Sequence, residues 1–257
     1  MAQSPAMNVM RAAVEKAGRA LRRDFGEVEN LQVSKKGPGD FVSQADLKAE
    51  KILFEELSEA RPGYGFLMEE RGVVEGADTT HRWIIDPLDG TINFLHGIPH
   101  FAISVALERE GTLVAGIVYN PITDELFFAE RGQGAYGPGG RLRVSGRNKL
   151  SDAVISTRFA YKSPDGFKTP ALEIEKLLPQ VAGLRNFGSA ALDLAYVAAG
   201  RFDGYVEFGL EAWDYAAGIV LVREAGGLVS DETNRQKMLE NGNIVAGNED
   251  LHAALLK

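Results

Sequence analysis

The sequence of 257 residues predicts an α+β fold. Long amphipathic stretches come first, a run of short β segments joined by turns follows, and the last third alternates β and helical patterns. Helices and strands that come in blocks favour layers over a regular βαβ repeat. Because no internal repeat or low-complexity linker divides the chain, we expect a single domain over residues 1–257. Its α+β half would span about residues 1–144 and its α/β half about residues 145–257.

Composition excludes several classes of protein. The net charge of -8 and the pI of about 5.2 argue against general affinity for nucleic acids or anionic membranes. The chain has no cysteine, which excludes disulfides, thiolate metal sites and a cysteine nucleophile and fits a reducing cytoplasm. The N-terminus lacks the pattern of a signal peptide, and no apolar run reaches the roughly 18 to 20 residues of a membrane span. We therefore expect a cytoplasmic protein with no direct nucleic-acid or membrane partner.

Two amphipathic helices are predicted near the N-terminus. Apolar residues recur at helical spacing after an initial Ser-Pro, which predicts a helix over residues 6–25. A short strand at Leu31–Val33 and a flexible basic loop containing Lys35 come next. Asp46 then opens the second helix, where its simplest role is that of an N-cap. A catalytic role for the same carboxylate remains open, because spacing alone does not decide between the two.

Two pairs of carboxylates follow predicted strands. Glu69 and Glu70 come directly after the strand Tyr64–Met68, and Asp86 and Asp89 follow the next apolar run. Adjacent strands would bring the two pairs together at one edge of a sheet. Three acidic ligands that converge from two strands are typical of a hard cation such as Mg²⁺, although solvated acidic turns remain the alternative.

The stretch WIIDPLDGTINF, residues 83–94, is the most informative in the chain. A polar loop is expected before it over residues 71–82. Pro87 fixes φ and lacks an N–H, so the strand should end there. Gly90 permits a close backbone approach, and Thr91 is a favoured N-cap before a helical turn whose N–H groups suit a phosphate. An Asx-rich turn without chemistry is the competing interpretation of this stretch taken alone.

An antiparallel meander is predicted after this stretch, with strands over residues 101–107, 113–119 and 125–129. The glycine-rich residues 132–140 lack P-loop spacing, so we expect a turn and not a nucleotide site. A short strand should follow over residues 141–144.

The second half alternates strands and helices. Ser189 is a natural N-cap, and Asp214 can be either an N-cap or a carboxylate that faces a metal. The four histidines are expected to be surface or structural residues, and no Ser/His/Asp motif of a serine esterase is present. The predicted strands are 153–157, 184–187, 205–208, 228–230 and 244–246, and the predicted helices are 169–178, 191–199, 215–225 and 251–256.

With these residues in place, the chain resembles the inositol monophosphatase family over nearly its full length. Three signatures carry the resemblance: the Glu69-Glu70 pair, WIIDPLDGTINF, and EAWDYAAGIVLVREAGG over residues 211–227. Their order and separation fit the family, and the chain is most similar to its bacterial, SuhB-type branch. Ile92 departs from the pattern, since many members have a second Thr there, and we expect little functional effect. The resemblance implies a layered α-β-α-β-α sandwich and a homodimer.

The resemblance also implies two or three Mg²⁺ ions per active site. Glu69, Asp86 and the Leu88 carbonyl would hold the first ion, and Asp86, Asp89 and Asp214 the second. A weaker third ion would lie near Glu69.

Further roles come from the same resemblance. Asp46 and Thr91 would orient and deprotonate a water on the metal, with Glu69 as a third catalytic residue. Lys35 would lie in a mobile metal loop. The implied substrate-binding residues are Leu88, Asp89, Gly90, Thr91, Arg185, Ala190, Glu207 and Asp214.

The expected function is Mg²⁺-dependent hydrolysis of a phosphomonoester, myo-inositol 1-phosphate or a related polyol phosphate. The chemistry is coherent because cations neutralise a phosphate dianion that would otherwise repel the nucleophile. By analogy with the family, Li⁺ should inhibit. Histidinol phosphate, fructose 1,6-bisphosphate or a 3′-nucleotide as substrate, and a regulatory role as partner of the transcription machinery, remain open alternatives.

Overall fold

Helices and strands form alternating layers in the structure, a computed structural model that describes residues 4–27, 33–37, 40–158 and 175–257. Three parts of the predictions lie outside the described residues: residues 31–32 of the first predicted strand, the Lys35 side chain, and residues 169–174 of a predicted helix. The described α-helices of seven residues or more are α1 (Pro5–Phe25), α2 (Gln44–Ala60), α4 (Ala190–Ala198), α5 (Ala212–Glu224) and α7 (Glu249–Leu255), and the shorter ones are α3 (Thr91–Leu95) and α6 (Met238–Asn241).

Two large sheets organise the described residues. In an eight-stranded sheet the strands follow the order β10-β9-β8-β7-β6-β5-β3-β4, and in a five-stranded sheet the order is β12-β11-β13-β15-β14. A separate antiparallel pair, β1 with β2, precedes α2. The strands are β1 (Val33–Gly37), β2 (Asp40–Ser43), β3 (Tyr64–Met68), β4 (Gly72–Val74), β5 (Asp78–Asp89), β6 (Ala102–Arg109), β7 (Thr112–Asn120), β8 (Glu125–Glu130), β9 (Gly134–Gly137), β10 (Gly140–Arg141), β11 (Val154–Thr157), β12 (Gly183–Arg185), β13 (Gly204–Glu207), β14 (Leu228–Ser230) and β15 (Ile244–Gly247).

Three hydrophobic cores hold the layers together. The first core packs α1 and α2 on one face of the eight-stranded sheet. The second fills the space between the other face of that sheet, α4 and α5, and the five-stranded sheet. The third packs α7 on the outer face of the five-stranded sheet. This sequence of layers confirms the expected α-β-α-β-α sandwich.

Strand β5 runs through the middle of the eight-stranded sheet, and its side chains alternate between the two cores. Trp83 and Ile85 lie in the core under α1 and α2. Ile84 points to the opposite core, under α5. This period of two explains the continuous apolar run Trp83-Ile84-Ile85, because both faces of the strand are covered.

Helix α5 lies very close to strand β7. A Cβ atom added at Gly116 would meet the carbonyl oxygen of Ala217 at 2.6 Å and its Cα at 2.9 Å. Only glycine permits this approach of a helix backbone to a strand backbone. The contact fixes the height of α5 above the sheet, and therefore the position of Asp214 in its first turn.

The predicted end of β5 at Pro87 is wrong. The strand continues to Asp89, and its pairing with β6 shifts register between Asp86 and Asp89. Such a bulge accommodates a proline within a central strand, because the missing N–H falls where the ladder is interrupted. The Leu88 N–H turns inwards and donates to Asp86 Oδ1 at 2.9 Å.

Two predicted loops also contain strands. Residues 71–82 include β4 and the start of β5, both of which pair with β3. The glycine-rich residues 132–140 contain β9, which pairs with β8, and the first residue of β10. Of the strand expected over residues 141–144, only Arg141 belongs to a strand. Partners supplied by the rest of the sheet override the low β-propensity of these segments. Within the described residues, no helix combines the length and apolar character that a membrane crossing requires.

Candidate active site

Parallel pairing of β3 with β5 brings the two predicted carboxylate pairs to one edge of the sheet. The backbone N–H of Glu69, which follows β3, donates to the carbonyl of Ile85 on β5 at 3.3 Å. The backbone of Glu69 therefore lies next to that of Asp86. The carboxyl ends of parallel strands meet at the same edge, so the expected convergence of these residues follows from the topology.

Asp86 is the electrostatic centre of the site. Its side chain is 2% exposed. Burial raises the pKa of Asp86 well above its ordinary value, and the charges of Glu69, Asp89 and Asp214 raise it further. These four carboxylates are called the acidic cluster below. Like charges gathered in a buried place are costly unless a cation compensates them.

Asp89 joins the two halves of the chain. Its Oδ2 accepts hydrogen bonds from Ser189 Oγ at 2.5 Å and from the backbone N–H of Ala191 at 2.8 Å. Burial raises the pKa of Asp89 to about 6, although these hydrogen bonds oppose the shift. Ser189 is the N-cap of α4, as the sequence predicts, and accepts from Leu192 N. The end of β5 is thus held at the start of a helix from the second half.

The prediction that Asp214 is the N-cap of its helix is wrong. Glu211 is the N-cap of α5, and Asp214 occupies the third helical position, from which its Oδ2 accepts from the Glu211 backbone N–H at 2.9 Å. Burial raises the pKa of Asp214 well above its ordinary value, and the charge of Asp89 adds to the rise. Ser104 Oγ donates to the Trp213 carbonyl at 3.2 Å and so holds this helix start against β6.

Asp46 likewise is not the N-cap of its helix. Ser43 caps α2, and Asp46 completes a capping box by accepting from the Ser43 backbone N–H at 2.9 Å and from its hydroxyl at 2.5 Å, both on Oδ2. The other oxygen, Oδ1, accepts from Thr91 Oγ1 at 3.2 Å. Burial raises the pKa of Asp46 to about 6. The pairing of Asp46 with Thr91 that the resemblance implies is present as a hydrogen bond.

Thr91 begins the short helix α3 but does not cap it. The N-cap is Gly90, at a φ of 96°, in the left-handed region that favours glycine. A Cβ at Gly90 would lie 3.1 Å from the Gly188 carbonyl and 3.2 Å from that of His100. Besides its bond to Asp46, the Thr91 hydroxyl lies 3.1 Å from the Leu88 carbonyl oxygen, so its single proton is shared between two acceptors.

A cavity of about 640 Å³ opens beside these groups. Six of its lining residues are acidic, and Asp46, Asp86 and Leu88 lie buried outside the lining. Of the predicted site residues, the cavity is lined by Glu69, Asp89, Gly90, Thr91, Ala190, Glu207 and Asp214. A second cavity of about 700 Å³, between the start of α1 and the far end of the sheet, is lined by none of them. We therefore assign the candidate site to the first cavity.

Glu207 lies in the wall of this cavity, at the end of β13. Its Oε2 accepts from Tyr205 Oη at 2.5 Å, and its Oε1 pairs with the Arg158 guanidinium at 3.4 Å. Burial raises the pKa of Glu207 to about 7, and Arg158 opposes the rise.

The structure does not bring Arg185 to the cavity. Arg185 is exposed, it donates to the Leu184 carbonyl at 2.8 Å, and it is not among the lining residues. Arg158, which sequence reasoning missed, is the arginine of the described lining. Arg185 is the last residue of β12, whereas Arg158 directly follows β11, which pairs in parallel with both β12 and β13. The signal that finds Arg158 is this place after the carboxyl end of a parallel strand. Asp193, also missed, is considered below.

The donor set fits a hard divalent cation, because it consists of carboxylate oxygens whose charges repel one another, with Asp86 buried and the other three residues half-buried in the cavity wall. Within the described part of the chain, no three Asp, Glu or His side chains are oriented, as they lie, to enclose a metal ion together. Asp89 and Asp214 each use one oxygen on a backbone N–H instead. The chemistry of the donors, and not a preformed cage, matches the cation. None of the four histidines lines this cavity, in keeping with their expected structural roles.

Comparison with known proteins gives full-length matches. The family model described as the inositol monophosphatase family matches residues 2–257. An inositol-1-monophosphatase of Mesorhizobium japonicum is 62% identical over 100% of this chain and 97% of the relative. A Nus factor SuhB of Escherichia coli K12 is 43% identical over 98% of this chain and 94% of the relative. The crystal structure of the extragenic suppressor protein SuhB of Bartonella henselae matches with a TM-score of 0.95 and 57% identity, and covers 98% of this chain and 97% of that one.

Proposed function

The chain belongs to the inositol monophosphatase family, and on this premise we propose that it is a Mg²⁺-dependent phosphomonoesterase that releases inorganic phosphate from myo-inositol 1-phosphate or a related polyol phosphate. The observation that carries the proposal is the acidic cluster, in which burial raises the pKa of Asp86 and three neighbouring carboxylates raise it further. A relative with 62% identity that bears the name inositol-1-monophosphatase supports the choice of substrate class.

In this proposal, two or three Mg²⁺ ions would be held by Glu69, Asp86, Asp89, Asp214 and the carbonyl oxygen of Leu88. When bound, these ions neutralise the phosphate and lower the pKa of water. The protein holds the ligands in place through the bulge of β5 and the starts of α4 and α5. Asp46 is not among these ligands, and its Oδ1 accepts from the Thr91 hydroxyl instead.

Asp46 and Thr91 supply the proton path. The attacking water gives a proton to Thr91 Oγ1 while the Thr91 hydroxyl gives its own to Asp46 Oδ1, along the 3.2 Å hydrogen bond. The hydroxide attacks phosphorus in line with the leaving alcohol, the P–O bond to the alcohol breaks, and the departing alkoxide takes up a proton from a water molecule. Asp46 then releases its proton to solvent, which restores the carboxylate. Asp46 must be ionised to accept the proton, and its pKa of about 6 permits this near neutral pH.

The substrate lies between the two halves of the chain. The phosphate would be bound by the N–H groups of Gly90 and Thr91, where charge accumulates on the phosphoryl oxygens. The alcohol would face Ala190, Glu207 and Asp214 in the cavity wall. Arg185 keeps only the role that the resemblance gives it, since its guanidinium lies outside the cavity lining in this structure.

An Asp89→Asn variant tests the function. We expect Mg²⁺-dependent turnover of myo-inositol 1-phosphate by the wild type and a loss of about 100-fold or more in the variant, because the amide cannot compensate a cation. A matched control is Asp231→Asn, since Asp231 is 1% exposed but is not among the residues that line the site cavity. An Asp89→Asn protein with undiminished activity would contradict the proposal. A panel of inositol, histidinol, sugar and 3′-nucleotide phosphates then identifies the preferred alcohol.

A second, protein-binding role is favoured by the relatives named Nus factor SuhB at 43% to 44% identity. We propose that the chain also associates with a transcription-related partner, without loss of catalysis. Affinity capture with the full chain should recover RNA polymerase or Nus-type factors from an extract of the source cells, and their absence would count against this role. A homodimer, sensitivity to Li⁺ and a cytoplasmic location complete the proposal and rest on the family resemblance and the lack of cysteine.

A further inference from the structure

The first turn of α4 carries a carboxylate to which the resemblance gives no role. Asp193 lines the site cavity and is 3% exposed. Its Oδ2 accepts from Ser156 Oγ at 2.7 Å, whereas its Oδ1 is buried and has no hydrogen-bond partner in the structure. A buried acceptor without a donor is unfavourable, and a ligand hydroxyl that fills this position would remove the penalty.

Asp193 belongs to the alcohol end of the cavity. Ser156, which holds its Oδ2, is on β11, and β11 pairs in parallel with β13, the strand that ends at Glu207. Burial raises the pKa of Asp193 well above its ordinary value, and the charges of Glu207 and Asp89 raise it further. Asp193 and Glu207 therefore share one part of the cavity wall.

The positively charged side chain in this wall already has a carboxylate partner. Arg158 is the cationic side chain of the described lining, and it pairs with Glu207 at 3.4 Å. Asp193 has a neutral hydroxyl as its partner instead. Of the two carboxylates, Asp193 is thus the one with an unused acceptor for a neutral donor.

We propose that Asp193 is a specificity-determining residue that accepts a hydrogen bond at Oδ1 from a hydroxyl group of the leaving alcohol. Together with Glu207 it selects a polyol over an alcohol with no further hydroxyl groups. This inference rests on the proposed phosphomonoesterase function and deepens it, because it assigns the recognition of the alcohol to a second carboxylate.

The test compares two esters in the wild type and in Asp193→Asn. Asparagine has nearly the same shape and retains an oxygen for Ser156, but it presents an amide N–H₂ group where the unused acceptor was. The probes are myo-inositol 1-phosphate and p-nitrophenyl phosphate, whose leaving group offers no hydroxyl donor. We expect the ratio of kcat/KM for the first probe to that for the second to fall by about tenfold, mainly through KM.

Asp203→Asn is the matched control. Asp203 is 2% exposed and accepts from the Val154 N–H at 2.7 Å, but it does not line the cavity. Its variant should keep the wild-type ratio. If thermal unfolding shows that Asp193→Asn is not folded, Ser156→Ala, which releases Asp193 Oδ2, is measured with the same criterion.

An unchanged ratio in the folded variant overturns the inference while leaving the proposed function intact. A wild type that hydrolyses neither ester overturns the proposed function, and the inference with it.

Discussion

The carboxylate of Asp46 combines a structural and a chemical task at the scale of one residue. Its Oδ2 closes the capping box of α2 with two hydrogen bonds from Ser43, and its Oδ1 faces Thr91. These bonds stabilise the ionised form, yet burial is the larger effect and raises the pKa to about 6. A base with a pKa just below neutral is ionised at neutral pH and still accepts a proton readily.

The raised pKa of Asp46 predicts how kcat falls at acidic pH. Because Asp46 must be ionised to act, kcat should fall as the pH decreases through about 6. Asp46→Asn should lower kcat by about 100-fold, with a smaller change in KM, and should remove this acid limb. The measurement is kcat against pH for both proteins. Asp24→Asn, which changes a carboxylate paired with Lys48 on the helix surface, should keep the wild-type profile. An acid limb that persists unchanged in a folded Asp46→Asn protein would rule out Asp46 as the base.

At the scale of elements, helices α2 and α5 use the same device to place a functional carboxylate. In each, the residue before the helix is the N-cap and the aspartate three positions later completes a capping box. The sequence predictions put both aspartates at the cap itself, because Asp is a favoured capping residue and a pattern locates helix ends only to within a few residues. The difference of three residues between the predicted and the observed position matters. At the third helical position, each carboxylate points inwards from the first turn of its helix.

The close backbone contact between α5 and β7 gives a prediction at this scale. Gly116→Ala would place a Cβ 2.6 Å from the Ala217 carbonyl oxygen, and neither backbone can move without disturbing its sheet or helix. We expect the free energy of unfolding to fall by about 1–3 kcal/mol, as in other overpacked cores. Urea denaturation measures the change. Gly139→Ala is the control, because a Cβ there meets nothing within 4 Å and its stability should change by less than about 0.5 kcal/mol. A Gly116→Ala midpoint equal to that of the wild type would show that the two backbones are not held this closely in solution.

At the scale of the whole molecule, the site lies between the eight-stranded sheet and the middle helical layer of α4 and α5. The eight-stranded sheet supplies Glu69, Asp86 and Asp89, and the middle helical layer supplies Asp214. The buried acids of the site have pKa values raised chiefly by burial, so the folded protein binds protons more tightly there than the unfolded chain. Each such group destabilises the fold as the pH rises from its unfolded pKa, 3.8 for Asp, through its folded pKa, about 6 for Asp89.

A bound divalent cation should restore the stability that the fold loses as the pH rises. At pH 4 the carboxylates bind protons and Mg²⁺ competes poorly, whereas at pH 7 the ionised cluster binds the ion and the folded state gains stability. We expect the Mg²⁺-induced increase in Tm to be small at pH 4, to grow through pH 6, and to be reduced in Asp89→Asn. Thermal unfolding with Mg²⁺ or with NaCl of equal ionic strength separates binding from screening. Equal Tm values in the two salts at pH 7 would contradict a cation site in the cluster.

The sequence by itself determined the local pattern and the chemical types of this protein. The apolar run of a buried strand at Trp83, the glycine that permits a close backbone approach at Gly90 and the acidic residues after two strands follow from short-range rules. The family resemblance added the layered fold, which the three cores confirm, and the residues of the site. Tertiary structure decided which side chains meet. It extended β5 past Pro87, placed Arg158 in the cavity instead of Arg185, and left Asp193 with an unused oxygen beside Glu207. These outcomes depend on sheet pairing and burial between residues far apart in the chain, which a one-dimensional pattern does not determine.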